Sequence, residues 1–199
     1  MNNDRKNIAM LIETTQPGER RDLETVTAIP ELRLMLRDLS NILKNEDVTI
    51  IGGMLMGVYA RARTTGDIDM MILSDEQLGR FAYKLLDDKF TRVTAHIFNH
   101  KDTGATVEFV TPTSVKIDPV LVQKILQTSH KDRCGLKIAS LKGFIAAKLQ
   151  RGIMRDDSDI VEVLKIHGPV NLSDWPLKPE QFQKLKHLSD VAEQEKRII

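Results

Sequence analysis

Two aspartates separated by a single residue, Asp67 and Asp69, are the side chains in this sequence best suited to chemistry. They begin an apolar run that predicts a β-strand over 67–73, and alternate side chains of a strand point to the same face of its sheet. Two carboxylates held this close repel each other unless a cation lies between them. Because the ligand atoms are all oxygens, Mg²⁺ is the expected cation, with Mn²⁺ as the alternative.

A pair of glycines, Gly52 and Gly53, precedes the aspartates in the chain. The pair follows a strand predicted over 48–52 and leads into a helix predicted over 54–60. A glycine turn of this kind leaves backbone N–H groups free to bind a phosphate. A phosphate-binding turn and a cation site in one segment predict chemistry on a nucleotide.

The segment 50–69 resembles the opening motif of the polymerase-beta-like nucleotidyltransferases, and in particular the minimal nucleotidyltransferases related to abortive-infection toxins. Those proteins carry Gly-Gly or Gly-Ser, followed by Arg-x-Thr-x-Asp-hydrophobic-Asp. The residues that match here are Ile50-Ile51-Gly52-Gly53 and Arg63-Thr64-Thr65-Gly66-Asp67-Ile68-Asp69. The resemblance implies that Asp67 and Asp69 bind Mg²⁺ and that the two glycines contact the triphosphate of an NTP. It adds Arg63 and Thr65 to the nucleotide-binding residues, with Arg63 supporting the aspartate loop or touching phosphate.

The family also needs a third carboxylate on a neighbouring strand, and Glu108 is the candidate. It lies in a strand predicted over 105–110, on the face opposite Val107 and Phe109. By resemblance, Glu108 would bind a second metal ion or accept a proton from the attacking hydroxyl. Aspartate is common at this position in the family. The alternative is a solvent-facing glutamate on an edge strand.

Lys148 lies on the apolar stripe of a helix predicted over 139–151, where it must either extend to solvent or meet an anion. The family's second conserved stretch has a lysine on one helix, then an arginine and Asp-x-x-Asp at the start of the next. The residues similar to it here are Ile145-Ala146-Ala147-Lys148-Leu149 and Arg155-Asp156-Asp157-Ser158-Asp159-Ile160. By that resemblance Lys148 contacts the triphosphate, and Asp156 or Asp159 orients Lys148 or the acceptor. For Asp157, capping of the second helix is the favoured explanation.

The acceptor is predicted from charge. Six basic residues and no acidic one occur between Arg133 and Arg155. Such a run favours RNA or tRNA as the acceptor over a protein or a small molecule, although a solvated helix face would explain Lys137 and Lys142. One Trp and two Tyr provide no aromatic platform for single-stranded bases. If the protein is of the toxin type, a neutralising antitoxin is expected as its partner.

The elements that position these residues predict an α/β (α+β) fold. We expect a weakly patterned segment over 1–29, a nucleotidyltransferase core over 30–115 with a mixed β-sheet flanked by helices, and a helical C-terminal portion over 116–199. Further strands are predicted over 92–98 and 105–110, joined by a polar turn at 99–104. Helices are predicted at 31–44, 74–88, 119–128, 139–151, 157–167 and 179–197.

Composition predicts a cytoplasmic protein that does not contact a membrane. The single cysteine, Cys134, cannot form an internal disulfide, and no apolar run reaches the length of a membrane span. Taken together, these patterns predict a Mg²⁺-dependent nucleotidyltransferase that binds ATP or another NTP, moves the NMP to an acceptor hydroxyl and releases pyrophosphate. The alternative is a non-catalytic nucleotide-binding or interaction protein that retains the same fold.

Overall fold

The computed structural model describes residues 22–27, 29–61, 65–87 and 89–197. The strands are β1 (Thr49–Ile51), β2 (Asp67–Met71), β3 (Phe90–Arg92), β4 (Ile97–His100), β5 (Thr106–Val110), β6 (His130–Lys131) and β7 (Lys137–Ile138). The α-helices are α1 (Leu23–Val26), α2 (Pro30–Leu43), α3 (Leu55–Tyr59), α4 (Asp75–Asp87), α5 (Pro112–Val115), α6 (Pro119–Thr128), α7 (Leu141–Arg151), α8 (Met154–His167) and α9 (Pro179–Lys196). A 3₁₀ turn, Gly52–Met54, joins β1 to α3.

The strands form one seven-stranded mixed sheet in the order β3-β4-β5-β2-β1-β7-β6. The predicted mixed α/β architecture is therefore confirmed. β2 lies at the centre of the sheet, antiparallel to β1 and parallel to β5. Because of this register, Asp69 of β2 is opposite Ile51 on one side and Glu108 on the other. The sheet thus brings the two candidate acidic segments side by side.

Amphipathic helices cover the face of the sheet opposite the carboxylates. The buried side chains of α2 recur at helical spacing, and so do those of α4. Phe81 of α4 packs against Phe109 of β5, with ring centroids 5.4 Å apart. The side chains of Ile68, Met70 and Val107 are fully buried on this same face. Burial of this apolar face fixes the register and leaves the acidic side chains on the other face.

The prediction of a single strand over 92–98 is wrong. The chain turns at 93–96, between β3 and β4, and 99–100 belong to β4 and not to the polar turn. The Thr94 hydroxyl accepts hydrogen bonds from the backbone N–H groups of His96 and Ile97, at 3.3 and 3.1 Å. Such local side-chain bonds compete with strand pairing, so β-favouring residue types alone did not predict the turn.

The hairpin formed by β6 and β7 was not predicted. It lies within the portion expected to be helical, and β7 pairs parallel to β1 in the same sheet. Two-residue strands are too short to show a period of two. The hairpin positions α7, which starts at Leu141 directly after β7 and supplies Lys148 and Arg151 to the site.

Among the helices of the described residues, none is long and apolar enough to cross a bilayer.

Candidate active site

Three carboxylates share the open face of the central strands. β2 presents Asp67 and Asp69, and β5 presents Glu108 directly beside Asp69. All three residues are partly exposed, whereas their strand neighbours on the other face are fully buried. The alternation of side chains along a strand predicts this arrangement. Glu108 lies on an interior strand of the sheet and not on an edge strand.

The charge of Asp69 is destabilised where it lies. Burial raises the pKa of Asp69 to about 6, and the negative charges of Asp67 and Glu108 contribute to the same shift. Arg151 and a hydrogen bond from the Gly53 backbone N–H oppose it. A divalent cation would relieve this repulsion, and the all-oxygen donor set fits Mg²⁺ or Mn²⁺.

This pKa predicts an unusual pH dependence for the metal-free protein. The folded state holds the Asp69 proton more tightly than the unfolded state, so the free energy of unfolding falls as pH rises from about 4 to 6. The loss contributed by Asp69 is up to about 3 kcal/mol. Asp69→Asn removes this contribution and is therefore expected to stabilise the metal-free protein at pH 7 but not at pH 4. Urea denaturation in EDTA at the two pH values measures the difference in the free energy of unfolding between wild type and Asp69→Asn. Equal stability of the two proteins at pH 7 would contradict the prediction.

Gly52 allows the Asp69 carboxylate to approach the turn. Its backbone lies in the left-handed region, at φ +75°, and a Cβ atom built there would be 1.8 Å from Asp69 Oδ2. The neighbouring Gly53 N–H donates a hydrogen bond to the Asp69 carboxylate. The turn therefore positions the aspartate, while the phosphate contact expected from the two glycines stays a prediction.

Gly52→Ala is expected to displace the Asp69 carboxylate. The left-handed backbone alone should cost about 1–2 kcal/mol in the free energy of unfolding, and the clash should also weaken binding of Mn²⁺. Gly104→Ala is the matched control, because Gly104 has φ +70° and no atom within 4 Å of its Cβ position. Thermal denaturation and Mn²⁺ titration compare the two variants. Normal Mn²⁺ affinity in Gly52→Ala would show that the close approach is not needed.

Thr65 holds the other aspartate. Its hydroxyl donates a hydrogen bond to Asp67 Oδ1, at 2.6 Å. The observed contact makes Thr65 a support for the metal-binding candidate Asp67, while its contact with the nucleotide, implied by the motif resemblance, stays a prediction. Arg63, expected to support the same loop or touch phosphate, lies outside the described residues.

Lys148 is buried in an ion cluster, with its side chain only 4% exposed. Its ammonium donates to Asp156 Oδ1 at 2.8 Å and to Asp159 Oδ2 at 2.7 Å. The same Nζ atom lies 4.9 Å from the ring centroid of Phe144. Of the two alternatives, extension to solvent and contact with an anion, the second is correct, and the anions are the two aspartates of the Asp-x-x-Asp motif.

Arg151 completes this cluster and was not assigned a role by the sequence analysis. Its Nε donates to Asp156 Oδ2 at 2.8 Å and its Nη2 donates to Asp156 Oδ1 at 2.6 Å. Burial opposes ionisation of Asp156, but hydrogen bonds from Arg151 and Lys148 outweigh it and lower the pKa of that carboxyl. Arg151 lies three residues after Lys148 on the same helix face, and this spacing is the sequence signal that both residues could contact Asp156.

A cleft of about 450 Å³ opens over the carboxylates. It is lined by Gly53, Thr65, Gly66, Asp67, Asp69, Glu108, Arg151, Ile153 and Arg155. A smaller cavity of about 100 Å³ adjoins it, and Lys148 lines this smaller cavity together with Asp69, Glu108 and Arg151. The cleft therefore combines an acidic floor with two guanidinium groups, a combination suited to a metal ion and an anionic ligand.

No family model matches this sequence, and no match is found among curated proteins. The function of the cleft must therefore be inferred from the geometry of its own residues and from the motif resemblance.

The basic run between Arg133 and Arg155 does not form a continuous cationic surface. Five of its six members pair with acidic side chains among the described residues. The pairs outside the buried cluster are Arg133–Asp22, Lys137–Asp47 and Lys142–Asp174, at 3.2, 2.7 and 4.0 Å. Arg155 is exposed and forms no ion pair with a described residue. The charge argument for an RNA acceptor is thereby weakened, because of the six members of this run only Arg151 and Arg155 line the carboxylate cleft.

The capping explanation for Asp157 is also wrong. Helix α8 begins at Met154, its N-cap residue is Ile153, and no side chain caps it. The Asp157 carboxylate instead forms an ion pair with Lys184 of α9, at 2.7 Å. This pair ties α8 to the C-terminal helix. Asp156 and Asp159, in contrast, are buried towards α7.

A second group of possible metal ligands lies on the opposite face of the sheet. Within the described ranges, only Asp38, His100 and Asp102 bring three such atoms within 4.8 Å of one another, and the carboxylates of the cleft are more widely spaced. His100 is fully buried, with Nε2 2.9 Å from Asp38 Oδ2 and Nδ1 2.9 Å from Thr103 Oγ1. These hydrogen bonds account for the histidine as a link between the β4–β5 hairpin and α2.

Proposed function

We propose that this protein is a Mg²⁺-dependent nucleotidyltransferase with the polymerase-beta-like nucleotidyltransferase fold. The observation that carries the proposal is the register of β2 against β5, which sets Glu108 beside Asp69 on the face that also bears Asp67. The motif resemblance implies that Asp67 and Asp69 bind the metal, and it calls for a third carboxylate on a neighbouring strand, where Glu108 lies. The cleft arginines, Arg151 and Arg155, support an anionic substrate.

In the proposed reaction, an acceptor hydroxyl attacks the α-phosphorus of an NTP. The new P–O bond forms as the bond from the α-phosphorus to the α–β bridging oxygen breaks, and pyrophosphate leaves with the bonding electrons. Glu108 accepts the proton of the hydroxyl, and Asp67 and Asp69 hold the metal. Mg²⁺, when bound, neutralises charge on the phosphate oxygens and favours ionisation of the hydroxyl. Thr65 and the Gly53 N–H keep the two aspartates oriented.

The acceptor is proposed to be a hydroxyl-bearing molecule. RNA, including tRNA, is the first class to test because of the two cleft arginines, followed by proteins and small molecules. Since most of the basic run is neutralised within the protein, we expect an RNA acceptor to be bound mainly at the cleft. Binding of this kind should depend less steeply on salt than binding to a broad basic surface.

The proposal is tested by following labelled phosphate. The protein is incubated with Mg²⁺, bulk tRNA and each NTP carrying ³²P at either the α- or the γ-position. Transfer of α-label but not γ-label to the acceptor is the expected result, with none from Asp67→Asn. Asp87→Asn, an exposed aspartate at the end of α4, is the control. Binding of NTP without transfer to RNA, protein or small-molecule hydroxyls would favour the non-catalytic alternative.

A further inference from the structure

We propose that Arg151, and not Lys148, is the cation that contacts the phosphate chain of the nucleotide. Lys148 is instead a positioning residue that acts on Arg151 through Asp156. This inference rests on the proposed function and changes the residue assignment that the motif resemblance implies. It follows from where the two cations lie and from how their N–H groups are used.

Lys148 has most of its hydrogen-bonding capacity committed to buried carboxylates. The ammonium group carries three N–H bonds, and two of them are directed at Asp156 and Asp159. The Lys148 Nζ atom also lies 4.9 Å from the centroid of the Phe144 ring. The side chain is 4% exposed and lines the smaller cavity but not the 450 Å³ cleft. A phosphate in the cleft would therefore have to displace a buried carboxylate to reach Lys148, at high cost.

Arg151 is placed to make the contact. Its side chain is 39% exposed and lines the cleft beside Asp69 and Glu108. A guanidinium has five N–H donors, and the bidentate pair with Asp156 uses one on Nε and one on Nη2. The remaining donors are free of Asp156, and Arg151 already interacts electrostatically with Asp69 at the acidic floor. A fixed planar fork of this type suits a phosphate group.

Asp156 connects the two cations. It is fully buried, and its Oδ1 accepts hydrogen bonds from both Lys148 Nζ and Arg151 Nη2, while its Oδ2 accepts one from Arg151 Nε. Arg151 and Lys148 together offset the cost of burying the Asp156 charge, and Lys148 holds the carboxylate to which Arg151 is bound. The turn at Gly152, with φ +66°, brings the start of α8 back against the end of α7 so that the contact forms. Loss of Lys148 should therefore affect phosphate binding only through Arg151.

The test uses Mg²⁺ with inorganic tripolyphosphate, ATP and AMP as calorimetric ligands. In Arg151→Gln, affinity for tripolyphosphate should fall about 10- to 100-fold, and the preference for ATP over AMP should shrink by a similar factor. Lys142→Gln, on the same helix and 47% exposed, is the control and should match wild type. Equal tripolyphosphate affinity in wild type and Arg151→Gln would overturn the inference.

The positioning role is tested by a double-mutant cycle. Lys148→Gln and Asp156→Asn should each reduce the ATP-to-AMP preference alone and have no further effect in the Arg151→Gln protein. If Lys148 itself contacted phosphate, the Lys148 and Arg151 effects would add, and the inference would be wrong. Asp156→Asn retains the shape of the side chain and serves if Lys148→Gln does not fold.

The outcomes also separate this inference from the proposed function. Normal transfer activity in Arg151→Gln would support the proposed nucleotidyl transfer and would show that Arg151 has no role in it. Binding of tripolyphosphate that depends on Arg151, without transfer by wild type, would retain the anion site and reject the proposed reaction. A wild-type protein that binds neither tripolyphosphate nor any NTP would overturn both.

Discussion

Replacing Asp69 with asparagine is expected to reduce nucleotidyl transfer by about 1,000-fold or more, the scale of losing a group that stabilises charge in a transition state. The substitution removes one negative charge from the floor of the cleft and with it a ligand for the metal. The surroundings of Asp69 also oppose its charge, since burial, Asp67 and Glu108 all raise its pKa. The measurement is the rate of α-label transfer at saturating Mg²⁺.

The stability of the same variant serves as its control. Asp69→Asn should be more stable than wild type at pH 7 without metal, because the repulsion among the carboxylates is reduced. Loss of activity in a folded, stabilised protein would identify a functional charge. Loss of activity together with loss of stability would point to a structural cation site, and retained activity would contradict the assignment of Asp69.

Replacing Lys148 with methionine is expected to destabilise the protein by about 3–5 kcal/mol, the cost of breaking a buried ion pair from one side. Methionine has a similar length but leaves Asp156 and Asp159 without their shared cation. Both carboxylates are almost fully buried, so loss of the ammonium leaves their charge poorly solvated. Urea denaturation at pH 7 measures the loss of unfolding free energy.

Lys142→Met tests the same change on the exposed side of α7. Lys142 is 47% exposed and lies 4.0 Å from Asp174, so its replacement should change the unfolding free energy by less than about 1 kcal/mol. A Lys148→Met protein as stable as Lys142→Met, with weaker NTP binding, would favour the direct phosphate contact that the motif resemblance implies. It would also show that the buried cluster contributes little to the fold.

The sequence predicted the acidic floor well because its signal is local. Asp67 and Asp69 lie two residues apart on a strand, and a period of two fixes their common face. Glu108 could be assigned to that face from its own strand, but its position beside Asp69 depends on the pairing of β2 with β5. That pairing joins segments about 40 residues apart, and no local pattern determines it.

The cation cluster was predicted only in part. The apolar stripe showed that Lys148 must meet an anion or extend to solvent, but the choice depended on the turn at Gly152 that brings Asp156 to it. The same turn directs Arg151 to Asp156. The sequence did not indicate this contact, because Arg151 occurs there as one of a run of basic residues. Likewise, the acids that neutralise the rest of the run come from distant segments, such as Asp22 and Asp47.

The most direct test of nucleotide binding at the carboxylates is a calorimetric titration with a non-hydrolysable NTP analogue, with and without Mg²⁺. Wild type and the double variant Asp67→Asn/Asp69→Asn are compared, with Asp87→Asn as the exposed control. We predict saturable binding by wild type and Asp87→Asn that requires Mg²⁺ and is lost in the double variant. Equal binding by the double variant, or none by folded wild type with any of the four bases, would contradict a metal–nucleotide site at Asp67, Asp69 and Glu108.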